Sequence, residues 1–340
     1  MNILIDYHHD ALLTSLYKLF VERLGWNLYI PIGMDWYDEE YWSVENGEKT
    51  PHTFEIAKLY LLTPANPSFH RKTPETPRLK FAYLKDIKAG LKFDIVLASV
   101  PCRYPNFEKL VKDFDMKSKL IFQAGNNFSH NSEFIQNVKN LLSSATGPYH
   151  YMNVPNKVFY HQEFDLGLFC PETPEPKQNV TNFQHFMCKP QMFYDIEQLL
   201  PEWKFRAFGS GNRDLVITGI HKVAAWTRKA GFIWHVKTLD EGYGHIIHTA
   251  FACGKPLIID TSYMTVYHQG VIPNTCMALF TSDTIIDVKV FDTTQKITEE
   301  LIRREKDYDY YSEKVYQKFT EVVNFDSEFV EIKKFLERLV

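Results

Sequence analysis

The chain contains no run of about 18 apolar residues, the length a membrane-spanning helix needs, so no integral membrane association is expected. It has no excess of positive charge either. Lys and Arg number 38 against 42 Asp and Glu, a formal net charge of -4. That balance excludes an overall basic field that would gather nucleic acid or acidic lipid, and leaves only local patches to do so. Cysteine is sparse. The five residues Cys102, Cys170, Cys188, Cys253 and Cys276 are widely spaced and form no CxxC pair, so free thiols in a reducing compartment are expected. The first residues run directly into an apolar strand without a basic leader, which predicts a soluble, cytoplasmic protein. Without a secretory signal, the sequons at Asn127 and Asn179 are read as chance matches. Internal repeats and low-complexity segments are lacking, and 340 residues suffice for two domains with separate cores.

What is present is an alternation of short apolar runs with helical periodicity. Residues 2–6 read as a strand, residues 11–24 repeat apolar side chains at helical spacing, and residues 26–32 read again as a strand. This opening predicts a parallel sheet that binds ligands at the carboxyl ends of its strands. The first such end carries Tyr7, His8, His9 and Asp10, and lacks the GxGxxG of a dinucleotide site. Asp10 equally suits the N-cap of the following helix. Residues 33–53 form a long polar insertion with Trp36, Tyr37, Tyr41 and Trp42, which suits stacking on a sugar or base, or a local satellite core. A helix is expected over residues 54–62. Between residues 70 and 92, Arg71, Lys72, Arg78, Lys80, Lys85, Lys88 and Lys92 stand against Glu75 and Asp86. Such a run is either a solvated helix face or a phosphate-contacting surface.

Strands over residues 93–99 and 119–124 end at Pro101-Cys102-Arg103 and Gly125-Asn126-Asn127, two ends expected to face one cleft. A helix is predicted over 132–142 and a last strand over 157–162. The proline-rich residues 171–176 mark a linker. The expected division is a first domain over 1–170, a linker over 171–182, a second domain over 183–326 and a terminal helix over 327–340. The second domain repeats the α/β series, with helices at 191–200 and 221–229 and strands at 204–208 and 232–236. The fold class is therefore α/β, with two Rossmann-like parallel-sheet domains facing a cleft.

Residues 238–260 carry the most chemistry. Gly242 and Gly244 let the backbone approach a ligand closely, and a helix starting near Gly244 aims N–H groups and a partial positive charge at an anion. A diphosphate fits there. Glu241, just before the turn, can accept hydrogen bonds from ligand hydroxyls, so a nucleotide-sugar is the ligand type indicated. Gly254 then closes the helix and Pro256 opens the buried run Leu257-Ile258-Ile259. The string Glu241-Gly242-Tyr243-Gly244 followed by Ala250-Phe251-Ala252-Cys253-Gly254-Lys255-Pro256 resembles the EGFG…EAMACGxP signature of GT-B fold glycosyltransferases, in particular the retaining, family-four-like group. Those enzymes carry a second glutamate eight positions after the first, and this chain has Thr249 there. Phe208-Gly209-Ser210-Gly211 resembles the glycine-containing strand end in the second domain of the same enzymes. By motif the resemblance covers the second half of the chain; it covers the first half by architecture.

The resemblance implies donor binding by Gly242, Tyr243, Gly244 and His245 at a pyrophosphate, by Glu241 at sugar hydroxyls and by Thr249 toward a ribose. Tyr243 equally suits packing, and His245 with His248 equally forms one helix face. Without a third ligand near this HxxH spacing, no metal is expected. Positive side chains would stabilise the leaving diphosphate, and Lys189, Arg206 or Arg213 beside Gly209 are the counterparts of the family's cationic pair. His8, His9 and Asp10 stand where such enzymes present a catalytic or acceptor-orienting group, and Trp36, Tyr37, Arg103 and Asn126 are candidates for acceptor binding. The terminal helix is expected to pack back on the first domain. The implied activity is transfer of a sugar from a nucleotide-diphosphate-sugar, a UDP-sugar co-substrate, with no other cofactor required. The hydroxyl acceptor would be a glycan, a protein, a small molecule or, as in phage-type enzymes, a hydroxymethylated pyrimidine in DNA. A nucleotide-sugar epimerase and a catalytically inactive nucleotide-sugar-binding protein are the alternatives.

Overall fold

Burial on both faces explains why strands such as Ile95–Ala98 and Leu257–Ile259 read as unbroken apolar runs. The computed structural model describes residues 1–6, 10–32, 42–45, 48–51, 78–128, 133–217, 219–238 and 241–339. His8, His9, Trp36, Tyr37, Arg71, Lys72 and the helix expected over 54–62 lie outside them. The chain forms two compact units, Met1–Phe164 together with Phe325–Val340, and Asp165–Asn324.

The first unit begins with β1 (Asn2–Ile5), α1 (Asp10–Tyr17) with a π-helical extension over Lys18–Arg23, and β2 (Asn27–Ile32). The hairpin β3 (Trp42–Glu45) and β4 (Glu48–Pro51) follows, then β5 (Leu79–Tyr83), α2 (Leu84–Lys88), β6 (Ile95–Ala98) and α3 (Tyr104–Asp113). It continues through β7 (Lys119–Ala124), β8 (Asn140–Ser143), α4 (Thr146–Tyr151) and β9 (Asn156–Phe159). Seven parallel strands stand in the order β5-β2-β1-β6-β7-β8-β9. Period-two alternation divides the core. Ile3 and Ile5 enter one layer with Leu12, Leu13 and Leu16, and Leu4 enters the other with Tyr104 and Phe107.

Two expectations change here. The helix predicted over 132–142 is instead a 3₁₀ turn at Glu133–Asn137 followed by β8. Leu141 and Leu142, both fully buried, face opposite core layers, which a strand allows and a helix does not. The basic run is not one helix face, since Lys80 lies on the edge strand β5 and Lys85 and Lys88 on the short α2.

The second unit comprises β10 (Asn179–Asn182), α5 (Pro190–Leu199), β11 (Lys204–Ala207), α6 (Ile220–Lys229), β12 (Phe232–His235), α7 (His245–Ala252) and β13 (Leu257–Ile259). A hairpin of β14 (Thr265–Tyr267) and β15 (Val271–Pro273) precedes β16 (Ile285–Asp287), α8 (Thr294–Lys306) and α9 (Tyr308–Val322). Its five parallel strands are ordered β11-β10-β12-β13-β16. The stretch 171–182 read as a linker thus contains an interior strand. In β10, Asn179 donates to the carbonyls of Pro176 and Lys229 and accepts from the Gly231 N–H, and Asn182 donates to the carbonyls of Gln184 and Phe208. Two asparagines with loop partners let a strand of linker-like composition sit buried.

The last helix, α10 (Phe325–Glu337), belongs to the first unit. Ile332, Phe335, Leu336 and Leu339 recur at helical spacing and join the layer of β1 and α1. Arg23 donates to Glu163 at 2.7 and 2.9 Å and to Asp326 at 2.9 Å, and Glu328 accepts from the His161 backbone N–H at 2.6 Å.

In the first sheet the strand order reverses between β1 and β6, where a doubly wound sheet opens its crevice. Asp6, fully buried, closes this point. It accepts from the N–H groups of Ser99 and Val100 at 3.0 Å and from Arg103 Nη1 at 2.8 Å. Removing one partner of a buried pair leaves an uncompensated charge. Arg103→Met should therefore lower the unfolding free energy by about 3 kcal/mol in urea denaturation, and a loss under about 1 kcal/mol would show that the pair does not hold this end.

Candidate functional site

The carboxyl ends of the second unit's strands gather most of the donor-site candidates. After β12 the chain passes Val236, Lys237 and Thr238 and returns at Glu241. Gly244 then takes a left-handed φ of 74° and opens α7, so a glycine stands where a side chain would be strained. The stem of Glu241 lies against this turn, for a Cβ on Gly244 would be 3.5 Å from Glu241 Cγ. A carboxylate and the positive end of a helix dipole are thus adjacent.

Glu241 Oε2 is 2.8 Å from His235 Nε2 and 3.4 Å from Lys237 Nζ. Burial opposes its ionisation, but the hydrogen bond and charge of His235, joined by Lys237, outweigh burial and hold the carboxyl at about 2. Tyr243 is buried and its ring stacks on His248 at 4.1 Å and 9°. His248 Nδ1 lies 2.9 Å from the Gly244 carbonyl, and these contacts place Tyr243 and His248 in the packing of the turn. His245 is the first residue of α7 and half-buried. Thr249 is buried and its hydroxyl donates to the carbonyls of His245 and Ile246, both at 3.1 Å.

Of the three candidate cations, Lys189 is the one bonded to a carboxylate just past another strand of the sheet. It follows β10, takes a left-handed φ of 51° and donates to Asp260, just past β13, at 2.7 Å. Because β12 runs between those two strands, this bond crosses its end. Asp260 is pulled below the usual carboxylate range, since bonds from Lys189 and Ser262 outweigh the burial that opposes ionisation. Arg206 is half-exposed on β11, 3.7 Å from Asp214. Arg213 is held by Glu197 at 2.8 Å and by the Phe205 carbonyl at 3.0 Å. Gly209, with φ 123°, brings the loops after β10 and β11 together, as a Cβ there would meet the Gln184 carbonyl at 2.4 Å. In the first unit, Asn126 is exposed just past β7, and Arg103 is buried against Asp6. Asp10 is the first residue of α1. Among the described residues no group of three His, Cys, Asp or Glu side chains is arranged to hold a metal.

No family model matches the chain, and no curated protein matches it by sequence. Solved structures do match. HepE of Anabaena, in complex with UDP-glucose, superposes with a TM-score of 0.65 at 9% identity over 99% of both chains. Sucrose-phosphate synthase of Thermosynechococcus elongatus gives 0.62 at 10%, over 99% of this chain and 98% of that one. An alpha-glucosyltransferase in complex with UDP and a 13-mer DNA containing an HMU base gives 0.61 at 13%, over 99% of both chains. The chain has a glycosyltransferase fold. It is the GT-B type, built of two Rossmann-like units.

Within this GT-B fold the sequence motif left out His235, Lys237 and Asp260. Each is a polar residue at or just past the end of a short apolar strand, and that is the one signal the sequence offers for them. The Glu241 carboxylate also makes the stability of the fold depend on pH. Its carboxyl has an ordinary value of 4.5 and is held at about 2 in the fold, so the unfolded chain takes up the proton first as pH falls. The stabilisation is complete above the ordinary value and is lost as pH falls toward the folded one. Urea midpoints measured across this window should fall more steeply for the wild type than for Glu241→Gln; parallel curves would refute the shift.

Proposed function

We propose that the chain is a glycosyltransferase that moves a sugar from a UDP-sugar to a hydroxyl acceptor. One observation carries this reading: a carboxylate bonded to His235 and Lys237 lies against a glycine turn that opens a helix at the carboxyl edge of a parallel sheet. The helix N-terminus suits the diphosphate, Glu241 suits sugar hydroxyls, and Lys189 at the neighbouring strand ends suits the charge of the leaving group. The UDP and UDP-glucose in structures of the same fold support the choice of donor. His8, His9 and Asp10 are proposed on the acceptor side, with Trp36, Tyr37 and Asn126. Arg103 would shape that side through Asp6. No helix of the described residues is long and apolar enough to cross a membrane, and a cytoplasmic enzyme remains the reading of the sequence.

A panel of UDP-sugars tests the reaction type. Transfer or hydrolysis is the expected outcome, whereas interconversion of the sugar would mark an epimerase and binding without turnover an inactive protein. In the same assay Glu241→Ala should lower turnover by more than about tenfold, the effect of losing a charge-assisted hydrogen bond. Unchanged kinetics in a folded variant would remove Glu241 from the site.

For the acceptor, hydroxymethylpyrimidine DNA is the candidate with a distinct physical signature. The support is the DNA-bound alpha-glucosyltransferase that shares the fold along its whole length, and the exposed Arg78, Lys80, Lys85, Lys88 and Lys92. Transfer to such DNA should fall steeply with salt, and charge reversal at Lys80, Lys85 and Lys88 should weaken it further without altering donor hydrolysis. Transfer indifferent to both, or no labelling of modified DNA, would leave a glycan or protein as the acceptor.

A further inference from the structure

We propose that His235 is the positioning residue of the sugar site, fixing the Glu241 carboxylate for its hydrogen bonds to sugar hydroxyls. The inference rests on the donor site proposed above. His235 closes β12 and its side chain is 3% exposed, so the rigid sheet sets the direction of its ring. Its Nε2 lies 2.8 Å from Glu241 Oε2, and Lys237 Nζ approaches the same oxygen at 3.4 Å. An ionised carboxylate only accepts, so Nε2 carries the proton and donates. Nδ1 is buried and has no partner among the described residues, so the ring is bound through Nε2. On the other side the stem of Glu241 rests against the Gly244 turn. His235 and Lys237 thus hold one carboxylate oxygen and the turn supports the stem, before any ligand arrives. At this acceptor the hydroxyls of the transferred sugar would be bound, whereas the diphosphate of the nucleotide meets the helix N-terminus and the ribose lies toward Thr249.

The division predicts a selective loss. With calorimetry on the full chain, His235→Leu should weaken UDP-glucose by about tenfold or more while leaving UDP within about twofold. His235→Gln, whose amide can donate from nearly the Nε2 position, should keep UDP-glucose within about threefold of wild type. Should His235→Leu fail to fold, Lys237→Met supplies the same readout from a partly exposed side chain, with an expected loss of about threefold for UDP-glucose and none for UDP. In folded variants, equal losses for UDP and UDP-glucose, or no loss for either, overturn the positioning role. A wild-type chain that binds neither overturns the proposed function, and this inference with it.

Discussion

A carboxylate taken out of water at the end of a strand has to be matched by donors, and this requirement shapes the loops of both units. Asp6 meets it with two backbone N–H groups and Arg103, Glu241 with His235 and Lys237, and Asp260 with Lys189 and Ser262. The Asp6 and Asp260 sets tie the segment after one strand to residues beyond another, and the Glu241 set ties a loop back to the end of the strand it follows. The ends are held by directed bonds rather than by apolar contact, which fixes the angle of a side chain more tightly than packing alone. A parallel sheet supplies the stiffness for this, because its interior strands are buried on both faces and cannot shift without exposing two core layers.

Glu241 and Asp6 differ in what surrounds their charge. Asp6 is fully buried and accepts from three donors, which suits a structural clamp. Glu241 lies at the start of a helix whose N-terminus favours an anion, and its side chain keeps 13% exposure. The second arrangement can meet a polar ligand, and the first has little left to offer one. Buried carboxylates of equal rank in the sequence are separated in this way by the third dimension.

The legible parts of the fold are those whose evidence is local. The glycine turn, helix, GKP stop and strand over 241–259 follow one another within a few residues, so their chemistry could be read in order. The strands β1, β7 and β12 were readable as apolar runs. The missed elements depend on partners far away in sequence. β10 is built on asparagines that bond to residues as much as 52 positions on, and β8 is a strand because two buried layers claim Leu141 and Leu142 separately. The Asp6–Arg103 pair joins residues 97 apart, and no spacing rule connects them. His235 is closer to Glu241, but it pairs because the chain turns back after β12, and a turn with no glycine or proline before Gly242 gives no notice of that.

Thr249 bears on how the proposed donor site divides its work. Its hydroxyl donates into its own helix, so this neutral group is satisfied locally and needs no ligand to be stable. Where a second glutamate would add an anion on α7, this chain has a neutral residue, and the charge of Glu241 is already matched by His235 and Lys237. An anion balanced before binding does not have to be rearranged when the ligand comes, which lowers the ordering cost of binding. In the proposed site, recognition of the anion and recognition of the sugar would rest on different groups, the backbone of the turn for one and a braced side chain for the other.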